Sequence, residues 1–207
     1  WHYDGDGIVS TERVLDKCLG GRLSELMRLG QYPGQLKTSE VVLNPGKRPG
    51  GAVVVGLGEV GKLTPSYLIA SVADALVYYA LTVRSHLGNA ATKSVTEVTL
   101  VHVTSLLSGT VAGGVSLADS IASILRAFGR ANLVLEKTEQ NARVRLGSLD
   151  FLELYEDRAV EAARLVRCMT TYPEFRRDFK ASTLMGVLPG NRRRVMYRDG
   201  GSWWRRL

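Results

Sequence analysis

The stretch "TLVHVTSLLSGTVAGGVSLADSIASILRAF", Thr99 to Phe128, decides how this chain folds. With Thr96 to Val98 before it, the run up to Leu107 is nearly continuous apolar and β-branched, the pattern of a central strand covered on both faces. "SGTVAGGV" follows, a turn with three glycines. Ser116 with Asp119 three residues on then has the form of a capping box, Asp standing for the usual Glu, and predicts a helix from about Leu117 to Ala131. Strand, glycine turn and capped helix in that order mark a strand-to-helix junction of an α/β protein.

The rest of the chain continues the alternation. "TERVLDKCLGGRLSELMRL" has helical spacing broken at Gly20-Gly21, which predicts two short helices or a kinked one. "TSEVVLN" (38–44) and "GAVVVGLG" (51–58) are β-rich runs around a Pro- and Gly-rich loop, hence a strand pair. Thr64 followed by Pro65 is a helix start, and the apolar spacing after it predicts a long, mostly buried helix. "SLDFLELY" reads as a strand, "EDRAVEAARLVRCM" as a helix and "RRRVMYR" as a last strand. The expected fold is three-layer α/β/α with a mixed, largely parallel sheet, in which ligands gather at the carboxyl ends of the strands.

Charge divides the chain. Residues 1–175 carry 18 Lys and Arg against 18 Asp and Glu, so the net +7 resides in 176–207. We therefore expect a neutral domain over 1–175 and a basic segment over 176–207 that starts or links to a further domain. In that segment Arg192, Arg193, Arg194 and Arg198, with Tyr197 and the Trp203-Trp204 pair, have the composition to contact phosphates and stack on bases. Solvated charge on an edge strand is the simpler account. Trp1 in place of an initiator Met and the abrupt "GSWWRRL" read as the edges of a piece of something larger. Two cysteines, Cys18 and Cys168, are too few for a disulfide framework or a zinc site and favour a reducing compartment. No apolar run approaches the ~18 residues of a membrane span, so the sequence predicts a soluble, cytoplasmic chain.

Catalytic chemistry is thin. Of His2, His86 and His102, the last lies in an apolar strand and reads as a core residue. No G-x-S-x-G, H-E-x-x-H or Cys/His signature gives a nucleophile an activating base, which argues against an enzyme. "GLGEVG" (56–61) satisfies G-x-G-x-x-G, but Glu59 sits where pyrophosphate would lie and the helix begins past the third glycine. "DGDGIVSTE" (4–12) has the look of a calcium loop, yet Arg13 falls where the bidentate Glu belongs. A polar turn capping the first helix accounts for it, and no metal or cofactor is expected.

The order "LDKCLGGRLSELMRLGQYPGQLKTSEVVLN", then "AVVVGLGEVGKLTPSYLIASVADAL", resembles the N-terminal domain of the leucyl aminopeptidase family. That resemblance implies a macro-domain-like α/β/α fold without the two-metal peptidase site. Thr99 to Phe128 also looks like the macro-domain phosphate loop. By that likeness Ser108, Gly109, Thr110, Gly113, Gly114 and Val115, closed by the Ser116 cap, would surround the diphosphate of an ADP-ribose-like ligand, with Gly20 and Gly21 as the other glycine loop. The whole pattern is similar to segments that precede caspase-like (CHAT-type) protease domains in large bacterial proteins. It implies an accessory domain that binds a neighbouring domain, a protein partner or an anionic ligand; the alternatives are an ADP-ribose or nucleotide-diphosphate binder, conceivably hydrolytic, and nucleic-acid binding by the basic segment.

Overall fold

The structure, a computed structural model, describes residues 10–90, 98–108, 110, 114–138, 144–153, 155–182 and 186. The expected last strand "RRRVMYR", the basic residues Arg192, Arg193, Arg194 and Arg198, and the calcium-like ligands of 1–9 lie outside them. With 50% helix and 19% strand the chain is of mixed α/β class, as its alternating pattern predicts. It forms two compact units, Trp1–Val103 with Ser108–Leu149, and Thr104–Leu107 with Asp150–Leu207.

In the first unit, α1 (Ser10–Cys18) and α2 (Arg22–Arg28) are separated at Gly20-Gly21, whose φ values of 70° and 84° are ones that glycine adopts freely. β1 (Ser39–Leu43) and β2 (Gly51–Val55) pair antiparallel, Ser39 opposite Val55 and Leu43 opposite Gly51. α3 (Pro65–Ala90) packs on both strands and, most extensively, on α4 (Leu117–Thr138). Ala73 and Ala80 on α3 and Ser120, Ser123, Ala127 and Ala131 on α4 are all buried. Side chains this small let two helix backbones approach closely while Leu76, Ile121 and Ile124 fill the space beside them. The Pro65–His86 part of α3 does reach spanning length and apolarity, contrary to the reading of the sequence. It packs on α4, β1 and β2, yet only 33% of that apolar window is buried, so the expectation of a mostly buried helix is corrected: one face is covered and Tyr67, Asp74 and Tyr78 remain exposed.

β3 (Thr99–Leu106) pairs in parallel with β4 (Val144–Leu152) in a second, two-stranded sheet. The expectation of a strand covered on both faces is corrected here: Val101 is buried, whereas Leu100, 56% exposed, and His102 face outward. A continuous apolar run states that a strand is apolar, and its neighbours decide how many faces are covered. Asn132 on α4 supplies what a further strand would. Its Oδ1 accepts from the Leu146 N–H at 2.9 Å and its Nδ2 donates to the Leu146 carbonyl at 3.1 Å. Replacing Asn132 with Ala leaves both backbone groups without those partners and is expected to cost about 2 kcal/mol in urea unfolding.

The second unit holds α5 (Glu156–Met169), whose bounds coincide with the run read from the sequence, and the single turn α6 (Pro173–Arg176). The division expected at residue 175 falls inside this unit.

Candidate functional site

The two glycine-rich loops after β2 and β3 meet. A Cβ built on Gly114 would lie 4.0 Å from the Gly61 carbonyl, and both glycines have positive φ, 77° and 80°. Beneath them Leu63, Leu68 and Val115 form a buried cluster, joined by Leu57 and Val72. One apolar cluster thus holds the 56–64 loop, the start of α3 and the approach to α4. Of the residues expected to surround a ligand, Ser108 and Thr110 are half-buried, Gly114 and Ser116 are exposed, and Val115 points into the cluster. Gly109 and Gly113 lie outside the described residues. Gly20 and Gly21 adjoin a different cluster, Leu19, Leu23 and Val42.

Both helix starts at this site carry caps of the chain's own. At α4 the Ser116 Oγ accepts from the Asp119 N–H at 3.0 Å and donates to Asp119 Oδ2 at 2.7 Å, so the Ser116 cap forms as read and a carboxylate stands at the positive end of the helix. Ser120 Oγ, fully buried, donates to the Ser108 carbonyl at 2.8 Å and ties the loop to the first turn. Ser116→Ala is expected to lower stability by about 1 kcal/mol, read as a fall in Tm. At α3 the cap is Thr64, whose Oγ1 accepts from the Tyr67 N–H at 3.3 Å, and Pro65 has no N–H to offer.

"GLGEVG" is no dinucleotide cradle in this geometry. The Gly56 N–H donates to the Thr38 carbonyl at 2.8 Å and the Gly58 N–H to the Gly34 carbonyl at 2.9 Å. A Cβ at Gly56 would sit 2.1 Å from the Gln35 carbonyl oxygen, so this glycine is required by the chain's own backbone. Glu59 pairs with Lys62 at 2.5 Å in full solvent, where such a pair contributes little.

The Gly20-Gly21 turn holds a carboxylate that sequence reasoning missed. Asp16, 9% exposed on α1, accepts at Oδ1 from the Leu23 N–H (2.8 Å) and the Ser24 N–H (3.1 Å), and at Oδ2 from the Ser24 hydroxyl (2.5 Å). Burial alone would raise its pKa. The hydrogen bonds from the Ser24 hydroxyl, the Ser24 N–H and the Leu23 N–H outweigh burial and hold it below the ordinary value. Before α5, Glu153 accepts from the Tyr155 N–H at 3.2 Å and from Arg158 Nε at 3.2 Å, which fixes the entry to the helix without capping its first-turn amides. An acidic residue six positions before a helix start, across a double glycine, is the signal that could have found Asp16.

Catalytic groups are sparse among the described residues. His102 is not a core residue. It is exposed, and its Nδ1 is hydrogen-bonded to the Ser148 hydroxyl. A serine nucleophile also needs its histidine oriented by a third group, and no ion pair joins His102 to a carboxylate among the described residues. No group of three or more metal-ligating side chains occurs there either. Burial raises the pKa of the Tyr79 hydroxyl; burial and the Glu12 carboxylate raise that of Tyr32, moving both phenols away from acid-base use near neutrality. Neither a family model nor a curated protein matches the sequence.

Proposed function

We propose that this chain is a non-catalytic accessory domain that binds a protein partner or a neighbouring domain of the same polypeptide through the joined 56–64 and 108–116 loops. The observation that carries this reading is the self-capping of the helix starts. The Asp16 carboxylate takes amides at α2, the Ser116 hydroxyl backed by the Asp119 carboxylate takes one at α4, a hydroxyl followed by proline stands at α3, and the glycine-loop amides of Gly56 and Gly58 bond the chain's own carbonyls. A site built for a diphosphate leaves such amides open. What remains outward is a preformed surface with Val60, 47% exposed, Gly61 and Gly114, seated on a rigid apolar cluster. Surfaces of this kind suit contact with another protein at little ordering cost.

The resemblance to macro domains supports the alternative of ADP-ribose or nucleotide-diphosphate binding at the same loops, and thermal-shift measurement separates the two. ADP-ribose, ATP and inorganic phosphate are expected to leave Tm unchanged at about 100 times a micromolar Kd, where a true ligand adds about 2.7 kcal/mol. A rise of several degrees transfers the assignment to the nucleotide reading. A photo-crosslinking residue at Val60 is expected to capture one protein in cells and the same residue at Glu25 none; equal labelling from both positions overturns the partner reading.

A further inference from the structure

We propose that the exposed α3–α4 face is a self-association surface that joins two copies of this chain about a two-fold axis. A groove of about 280 Å³ runs between the helices, with Val77 and Leu81 half-buried in it and Tyr78 and Val134 on its walls, 48% and 38% exposed. Asp74 on α3 and Arg130 on α4 also line this groove. Neither forms an ion pair among the described residues.

The occupant follows from that charge arrangement. A two-fold interface uses one patch twice, so the patch must complement itself. An apolar centre with one acid on one helix and one base on the other meets the requirement: rotation by a half-turn sets Asp74 against Arg130 of the partner subunit, and the converse pair forms at the same time. An apolar centre with charge at its edge is also how protein interfaces are commonly built. Since the groove uses none of the loop residues assigned above, the inference holds whether or not that assignment does.

Sedimentation velocity over a concentration series tests it, with wild type, Asp74→Arg, Arg130→Asp and the double variant. Wild type is expected to pass from monomer to dimer as concentration rises. Each single reversal places like charges across the axis and is expected to weaken the dimer at least about tenfold, whereas the double reversal restores it to within about threefold of wild type. Val134→Lys is expected to abolish the dimer with the melting temperature kept, since the side chain is on the surface. A wild type that stays monomeric up to about 0.5 mM, where even a weak dimer would register, overturns the proposal and leaves the groove to a different partner. Single reversals without effect, or a double variant as weak as the singles, overturn it equally.

Discussion

Replacing Leu68 with Ala is expected to destabilise the first unit by about 3–4 kcal/mol, the upper part of the range for a buried leucine. Leu68 is wholly buried and stands in the first turn of α3 between Leu63 and Val115. Truncation opens a cavity at the one point where both glycine-rich loops are anchored, and neighbours fixed by two helix starts have little freedom to close it. The midpoint of urea unfolding reads the loss, and Leu68→Met, which keeps most of the volume, is expected to lose less than about 1.5 kcal/mol. Partner capture at Val60 should fall with the Ala variant even where the protein remains folded, because the loops lose their common support.

The second large effect is at Asp16, where an Ala substitution is expected to cost about 3 kcal/mol. The carboxylate accepts three hydrogen bonds, and its removal leaves the Leu23 N–H, on a residue with no exposed surface, without a partner at the start of α2. Asp16→Asn retains one acceptor oxygen and loses the charge, so about half of that cost is expected. The pH dependence has a definite sign. The folded pKa lies below the ordinary 3.8, so the charged form is the one favoured by folding. Its contribution is complete above the unfolded value and is lost as pH falls through the folded one. The gap in stability between wild type and Asp16→Ala should therefore be constant near neutrality and narrow below about pH 4, where urea midpoints at several pH values will show it.

Much of the local structure is legible in the sequence because it is dictated locally. The Thr64-Pro65 start, the Ser116 and Asp119 box and the α5 run are fixed by residues within four positions of one another, and the structure places each as read. Pairing was not legible. The apolar Thr96 to Leu107 run does not say which strand lies beside it, and β3 turned out to expose Leu100 and His102. The site was half legible. Glycines at 61 and 114 announce turns, but their meeting depends on how Leu63, Leu68 and Val115 pack across more than 45 residues of chain. Asn132 gave no sign at all, since an asparagine inside a helix is ordinarily a solvated residue rather than the partner of a strand.

Gly20-Gly21 carries the most general point. The resemblance to macro domains implies a ligand loop at Gly20-Gly21, and the helix amides beside it are taken by the Asp16 carboxylate of the chain itself. At α4 the Ser116 hydroxyl takes the Asp119 N–H and itself donates to the Asp119 carboxylate. Satisfied in this way, the starts of α2 and α4 hold negative charge that the chain itself supplies.

The most direct test follows the backbone amides of Gly61, Gly114, Ala118 and Asp119 by NMR during titration with ADP-ribose and with inorganic phosphate. Self-capped helix starts predict that these resonances stay in place up to about 5 mM ligand, far above the Kd of a working nucleotide site. Saturable movement of the same four amides would contradict the account and make the joined loops a phosphate site.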